Sequence, residues 1–438
     1  MEWFHLMTRK DNDMLENYFC DSRTLHQLRL GPLGSLMDDF SDMLGNEHYP
    51  KGTARTHIRN VSHLSRYLMW KGLDSIDNFN VEWIDDFLLN HLPNCICMRS
   101  FVGKHVTAPA SMLKLREYLV AKGKIVEPVV EVDPKSPDGV VMRFQKYLAE
   151  IKATSKKTID SYSHMVGHLL DARMQLHGSL DFAALTEADV IELHKAVCSL
   201  HESRSWKTNS TSIIRVFLRF LWWEKLTPAP LGRTIQPVRK WRLSEIPKAL
   251  TAAELAKVLE TPNRDTSIGK RDYAILVLLA TVGMRASEIA ALTLENFHWR
   301  KRVVTIPSCK SRRERDMPLT DEAFDALVDY LKHARPKVLD RRIFIRDKAP
   351  LRGFVSAAAI TSLVSAHVIR SGIQRAVYKG PHLLRHTLAT MLVNRGTPIK
   401  QVSDMLGHKE IETTRIYAKV DLTSLRKIAN PFPTCNWR

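Results

Sequence analysis

The sequence predicts a mainly α-helical chain of several lobes that carries one small β-hairpin. Three observations predict it. Apolar residues recur at three- and four-residue intervals through most of the chain, two proline- and charge-rich segments interrupt that rhythm, and one pair of short β-prone runs flanks a polar tip. At 438 residues the chain is long enough for two or three domains, each with its own core.

Residues 1–126 read as an N-terminal helical domain. The opening stretch MEWFHLMTRKDNDMLENYF has acids among its apolar residues, so it reads as neither a secretory signal nor a membrane span. Glu127 to Gly139 (EPVVEVDPKSPDG) reads as a linker, because proline removes a backbone donor and restricts the residue before it. Val140, Val141, Phe144, Tyr147, Leu148 and Ile151 then fall at helical spacing, and further helices are expected over Lys157 to Leu170, Thr186 to Leu200 and Thr208 to Glu224. Residues 140–226 are therefore expected to form an all-helical domain. A second linker, 227–248, holds Pro228, Pro230, Pro237 and Pro247 together with Arg233, Arg239, Lys240, Arg242 and Lys248, cations able to track a phosphate backbone.

Thr53, Val61, His63 and Leu64 recur as Thr158, Val166, His168 and Leu169, each 105 positions later. Asn80-Val-Glu-Trp-Ile-Asp-Asp-Phe parallels Thr186-Glu-Ala-Asp-Val-Ile-Glu-Leu as a capped helix start at nearly the same offset. Residues 1–126 are thus expected to hold a degenerate copy of the middle domain, with an unrelated helical domain as the alternative. From 249 to 438 the chain is again helical except for Arg302-Val-Val-Thr-Ile-Pro and Arg315-Asp-Met-Pro-Leu, which read as a hairpin around Ser308-Cys-Lys-Ser-Arg-Arg. Lys310 would start its exposed turn.

Lysine and arginine outnumber aspartate and glutamate 65 to 47, a formal charge of +18. Such a field favours a polyanionic partner, since each neutralised phosphate releases counterions; a basic surface kept for solubility is the alternative. Cys20, Cys95, Cys97, Cys198, Cys309 and Cys435 are scattered, with no CxxC pair and no regular spacing, so neither a disulfide framework nor a metal site is expected and a reducing, cytoplasmic setting fits.

Cutting a phosphodiester without a metal needs a nucleophile, positive charge around the phosphorus and a route for protons. In Thr281-Val-Gly-Met-Arg-Ala-Ser-Glu an apolar helix ends at Gly283 and another begins near Ala286, which places Arg285 at a helix start. In Gly380-Pro-His-Leu-Leu-Arg-His-Thr, His382 and Arg385 lie three apart and share a helix face, where an imidazole and a guanidinium can hold one phosphate and manage its protons. In Asn394-Arg-Gly-Thr-Pro-Ile-Lys-Gln-Val-Ser-Asp-Met-Leu-Gly-His, Gly396 closes one helix, Thr397 is expected to cap the next with Pro398 in its first turn, and Gly407 ends it just before His408. Tyr417 follows nine residues later, between Arg415 and Lys419, and a phenol needs such cations to become a nucleophile near neutral pH. Each residue alone has a plainer reading as a surface charge or a packing aromatic.

The order Arg285, Lys310, His382-x-x-Arg385, Leu406-Gly407-His408, Tyr417 resembles the phage-integrase family of tyrosine recombinases, which includes the Xer-type chromosome resolvases. The likeness lies in motifs over about residues 250–425 and, more loosely, in fold over 140–225, which looks like the family's helical, SAM-like core-binding domain. Where the family often has glycines around its lysine, Cys309 and Ser311 stand here, with Arg312 or Arg313 as substitutes in that role.

The resemblance implies core-binding domains joined to an α-rich catalytic domain, and a site-specific recombinase that cleaves and rejoins double-stranded DNA through a 3′-phosphotyrosyl bond. It implies that Arg285 and Arg385 grip the phosphate, Tyr417 attacks, Lys310 protonates the leaving 5′-oxygen, His382 accepts the tyrosine proton and His408 adds a hydrogen bond. Lys156, Lys157, Arg239, Lys240, Arg312 and Arg313 are further candidates for DNA contact. No cofactor is expected, and the sequence shows no P-loop and no acidic metal cluster. The implied assembly is a homotetramer on DNA, joined through Ala418 to Arg438 docked into a neighbour, with accessory recombinases or DNA-bending proteins as further partners. The expected location is the cytoplasm, at the nucleoid when bound to DNA, with no membrane association. The rival readings are a type IB topoisomerase that relaxes DNA and a catalytically silent DNA-binding regulator.

Overall fold

The structure is a computed structural model that describes residues 15–95, 97, 107–125, 133–237, 249–307, 314–374, 379–407 and 417. These fall into two compact units, one made of the described residues up to 127 together with those from 245, the other of those between 128 and 244.

In the first unit the N-terminal lobe is built from α1 (Ser22–Leu28), α2 (Met37–Asn46), α3 (Lys51–Trp70), α4 (Glu82–Asp86) and α5 (Ala108–Ala121). Ala54, Ile58, Val61, Leu64 and Leu68 recur along α3 at helical intervals and are all buried, in a core shared with Phe40, Phe87, Met112 and Leu119. The same helix buries the polar side chains of His57 and Asn60, and these are paired. Ser111 on α5 receives the Asn60 amide at 2.9 Å and meets His57 Nδ1 at 2.9 Å, which fixes α5 against α3.

The second unit holds α6 (Pro137–Glu150), α7 (Lys156–His177), α8 (Glu187–Ser199) and α9 (Arg204–Trp223) around a core of Phe144, Leu148, Val166, Leu170, Val197, Phe217 and Phe220. Thr186 and Asp189 form a reciprocal capping box at the start of α8, and Gly178, at φ +67°, ends α7 in the left-handed region. The start of α7 lies 105 positions after that of α3, and the start of α8 105 after that of α4, which is the interval of the sequence repeat.

The C-terminal lobe contains α10 (Ala252–Leu259), α11 (Ser267–Thr281), α12 (Ala286–Ala291), α13 (Asp321–His333), α14 (Ala357–Arg370), α15 (Pro381–Asn394) and α16 (Ile399–Leu406). Every residue from Ala274 to Ala280 is buried, because α11 runs through the centre with α13 and α15 packed on it. Beside the helices lies the expected small antiparallel sheet, in the order β1 (Phe297–His298), β2 (Val303–Ile306) and β3 (Arg315–Pro318), with Val304 opposite Met317 and Ile306 opposite Arg315. Leu351 N–H donates to Glu47 O at 3.1 Å, a backbone link between the two lobes of this unit.

Several expected boundaries move. α6 begins at Pro137 behind its cap Ser136, inside the segment read as linker 127–139, because proline suits a first helical turn. Leu231 and Ile235 are buried in the core of the second unit, so the early part of the second linker is packed structure. Arg204 already starts α9, and α7 continues past Leu170 to His177. Pro398, not Thr397, caps α16, whose first residue is Ile399, and no side chain caps that end. Among the described residues no helix is long and apolar enough to cross a membrane.

Candidate active site

The site is built where three chain turns of the C-terminal lobe meet. α11 ends at Thr281, and Gly283 reverses the chain with φ +68°; a Cβ there would come within 2.8 Å of both Leu388 and Leu406 side chains. Arg285 then caps α12. Its backbone N–H donates to Glu288 Oε2 and its Nη1 to Glu288 Oε1, each at 2.8 Å, while Nη2 donates to Gly407 O at 3.0 Å.

Glu288 is 2 % exposed and also receives Arg315 of β3 at 3.0 and 3.3 Å. Burial pushes its carboxyl upward, but the hydrogen bond from Arg315, then the Arg285 backbone, overcome that and hold it below the ordinary range. Gly407, at φ +60°, ends α16 against Arg315, whose Nη1 would lie 2.7 Å from a Cβ at that position.

Arg385 lies in the second turn of α15 and is 4 % exposed. Its guanidinium donates to Gly283 O and to Leu406 O. Arg285 and Arg385 therefore reach consecutive carbonyls at the end of α16, where the helix leaves acceptors without intrahelical donors. Two guanidinium groups, those of Arg285 and Arg315, share the one carboxylate of Glu288, while Arg385 has only carbonyl partners. Burial first, and then Arg285, draw Arg385 down to about 9, so it is still cationic at neutral pH. Such a surplus of buried positive charge suits an anion.

Tyr417 is 1 % exposed and packs with Ala389, Val393, Val402 and Leu406. Its hydroxyl shares a hydrogen bond of 2.6 Å with His386 Nδ1. Burial raises the phenol to about 12, against a downward pull from Arg385, while burial followed by the charges of His382 and Arg385 lowers His386 to about 4. His382, one turn before His386, is exposed to solvent on one side, and crowding by its surroundings together with Arg385 and Arg285 lowers its proton affinity as well.

The fold thus brings together Arg285, Arg385, His382 and Tyr417 from the sequence-derived set. Lys310, Arg312, Arg313, His408, Arg239 and Lys240 lie outside the described residues, as do Arg415, Lys419 and the segment from 418 to 438. Lys156 and Lys157 are exposed in the first turn of α7. Two residues were missed. His386 was visible in the sequence as a second imidazole one turn after His382, and Arg315 as a cation at the start of the hairpin's return strand, but neither spacing names Tyr417 or Glu288 as the partner.

The burial of His386 beside His382 and Arg385 has a measurable pH signature. Because the folded protein holds His386 near 4 and the unfolded chain near 6.5, the unfolded state binds more protons in between, and stability falls as pH drops through that window. The loss expected at pH 5 relative to pH 7 is about 2 kcal/mol. Thermal unfolding of His386→Gln should show a fall smaller by that amount, and equal slopes in the two proteins would refute the assignment.

The sequence signature of the phage integrase family matches residues 248–423. The protein described as "Putative integrase/recombinase y4rF" from Sinorhizobium fredii is 32% identical over 97% of this chain and 97% of its own length. Tyrosine recombinase XerD of Staphylococcus saprophyticus is 29% identical over 67% of this chain and 98% of its own. Among solved structures, the XerH site-specific recombinase bound to palindromic difH substrate matches 67% of this chain and 84% of its own at 18% identity and a TM-score of 0.51. The Tn1549 transposon integrase with a circular intermediate DNA matches 66% and 99% at 17% identity and a TM-score of 0.50.

Proposed function

The chain belongs to the phage integrase family of tyrosine recombinases, and from that premise we propose that it cleaves and rejoins double-stranded DNA at specific sites through a 3′-phosphotyrosyl bond to Tyr417, without metal or ATP in the chemistry. The observation that carries this reading is the fastening of Arg285 and Arg385 to adjacent carbonyls, Gly407 and Leu406, beside a tyrosine that lies 132 positions after the first of them.

Arg285 and Arg385 hold the non-bridging oxygens of the scissile phosphate with preorganised donors whose grip strengthens as charge builds in the transition state. Tyr417 Oη attacks the phosphorus in line, and the bond to the 5′-oxygen breaks. Lys310 gives that oxygen its proton, His382 takes the proton of the phenol and returns it on resealing, and His408 donates to a phosphate oxygen. The phosphotyrosyl bond retains the energy of the phosphodiester, which is why no nucleotide is consumed. In the state described, Tyr417 is buried and protonated against His386, so DNA binding has to free the phenol before attack.

A double-stranded DNA partner is supported by the net charge of +18 and by the difH substrate and circular intermediate DNA carried by the two structural relatives. Exchange of strands needs two cleaved duplexes, so the working assembly is a homotetramer on DNA, with Ala418 to Arg438 docking into a neighbour and accessory DNA-bending proteins or a second recombinase as further partners. Its place is the cytoplasm, at the nucleoid when bound. Lys156, Lys157, Arg239, Lys240, Arg312 and Arg313 contribute phosphate contacts.

The test is to incubate the protein with nicked duplexes drawn from the DNA flanking its gene and to resolve the products on a denaturing gel. A covalent protein–DNA adduct with a free 5′-hydroxyl is expected. Relaxation of any plasmid without exchange would make the protein a topoisomerase, and binding without an adduct would make it a regulator.

The N-terminal lobe is a degenerate copy of the core-binding domain in this reading, supported by helix starts that recur after 105 positions. Photocrosslinking of bound duplex should then label α3 as well as α7, and a pattern that spares α3 would rule the copy out.

A further inference from the structure

We propose that His63, His91, Cys95 and Cys97 form a structural zinc site of the Cys2His2 type in the N-terminal lobe. The sequence separates these residues and hides the set: His63 lies in the middle of α3, whereas His91 is 28 positions away. What joins them is the way α4 ends. It passes into a π-helical turn over Phe87–His91 and then a 3-10 turn over Leu92–Asn94, and this wide turn swings His91, Cys95 and Cys97 onto α3.

His63 Nε2 lies 3.1 Å from His91 Nε2 and 3.4 Å from Cys95 Sγ, Cys97 Sγ lies 3.7 Å from His91 Nε2, and all four atoms fall within 4.8 Å of one another. A tetrahedron with the usual zinc–nitrogen and zinc–sulfur bonds has edges of about 3.3 Å between nitrogens, about 3.6 Å from nitrogen to sulfur and about 3.8 Å between sulfurs. Three of the edges already match, and the longest has to close by about 1 Å. Both cysteines are free thiols, and two thiolates with two neutral imidazoles balance the charge of a divalent ion.

The surroundings are those of a ligand set held in place. His63 is 6 % exposed, its ring meets Phe87 edge-on at 5.1 Å, and His91 stacks on Phe87 at 5.4 Å and lies 4.4 Å from the ring of Tyr67. Cys97 N–H donates to Cys95 Sγ at 3.4 Å, a contact that steadies a thiolate. Four protein ligands leave no open position, which marks a structural and not a catalytic centre. The ion would clamp the end of α4 to α3, and its binding energy would become folding energy of the lobe. It takes no part in the cleavage chemistry, so this inference stands or falls separately from the proposed reaction.

The full-length chain, purified without chelator, should contain about one zinc per chain by elemental mass spectrometry, and Cys95→Ser/Cys97→Ser should contain less than about a tenth of that. To separate loss of ligands from loss of fold, the second measurement is direct: cobalt(II) added to metal-free wild-type chain should give the strong visible bands of a tetrahedral site and a thiolate charge-transfer band in the near ultraviolet. Zinc added afterwards should bleach both. A wild-type chain that holds no zinc and takes up no cobalt, an octahedral cobalt spectrum, or equal metal content in the double variant would each overturn the site and leave a hydrogen-bonded cluster in its place.

Discussion

Tyr417→Phe is expected to form no covalent complex with nicked DNA and to lower strand cleavage by at least about 10⁴-fold, the scale seen when an enzyme loses its nucleophile. The substitution removes one oxygen. It leaves the ring packed among Ala389, Val393, Val402 and Leu406, and it deletes only the single hydrogen bond to His386. Stability should therefore change by about 1 kcal/mol while activity disappears, and DNA affinity in a gel-shift assay should be retained. An adduct of unchanged yield in the variant would place the nucleophile elsewhere, since no other side chain would have been altered.

Arg385→Ala should damage both the fold and the chemistry. The guanidinium is buried, and its loss strands the carbonyls of Gly283 and Leu406 without donors, a cost of about 3 kcal/mol that should appear in the denaturation midpoint. Loss of a preorganised cation at the phosphate should also lower cleavage by about 10²–10³-fold at a temperature where the variant is folded. Arg385→Lys separates the two effects. It keeps the charge but cannot fork to two carbonyls, so binding of DNA should survive better than cleavage. Full activity in the folded Ala variant would remove Arg385 from the proposed machinery.

Much of this fold was legible because helices announce themselves locally. The spacing of Val140, Phe144, Tyr147 and Leu148 identified α6, and Thr186 with Asp189 announced the start of α8. Boundaries were less legible where two local signals competed. Pro137 is a linker residue by composition and a first-turn residue by geometry, and only the packing of Val140 and Phe144 decides between them. At the site, Arg285, Arg385 and Tyr417 stand in short motifs whose order can be read directly. The partners of those residues cannot. That His386 meets the phenol depends on where the chain returns at residue 417, and that Glu288 serves two arginines depends on the register of β3, which brings Arg315 alongside Ile306. The approach of Cys95 and Cys97 to two histidines was not legible for a related reason: spacing rules assume residues on a regular turn, and a π-helical turn changes the phase by which His91 meets His63.

The carbonyls of Leu406 and Gly407, at the end of α16 and just past it, give the C-terminal lobe a shared anchor. Leu406 and Gly407 are held by the cations that would also receive the substrate, and ten residues further on stands Tyr417, the proposed nucleophile. An arriving phosphodiester competes for those donors, so its presence would be felt mechanically at the root of the segment bearing Tyr417. Arrival of the phosphate and release of the proposed nucleophile would then be a single event, and a chain without bound DNA would keep the Tyr417 oxygen stowed.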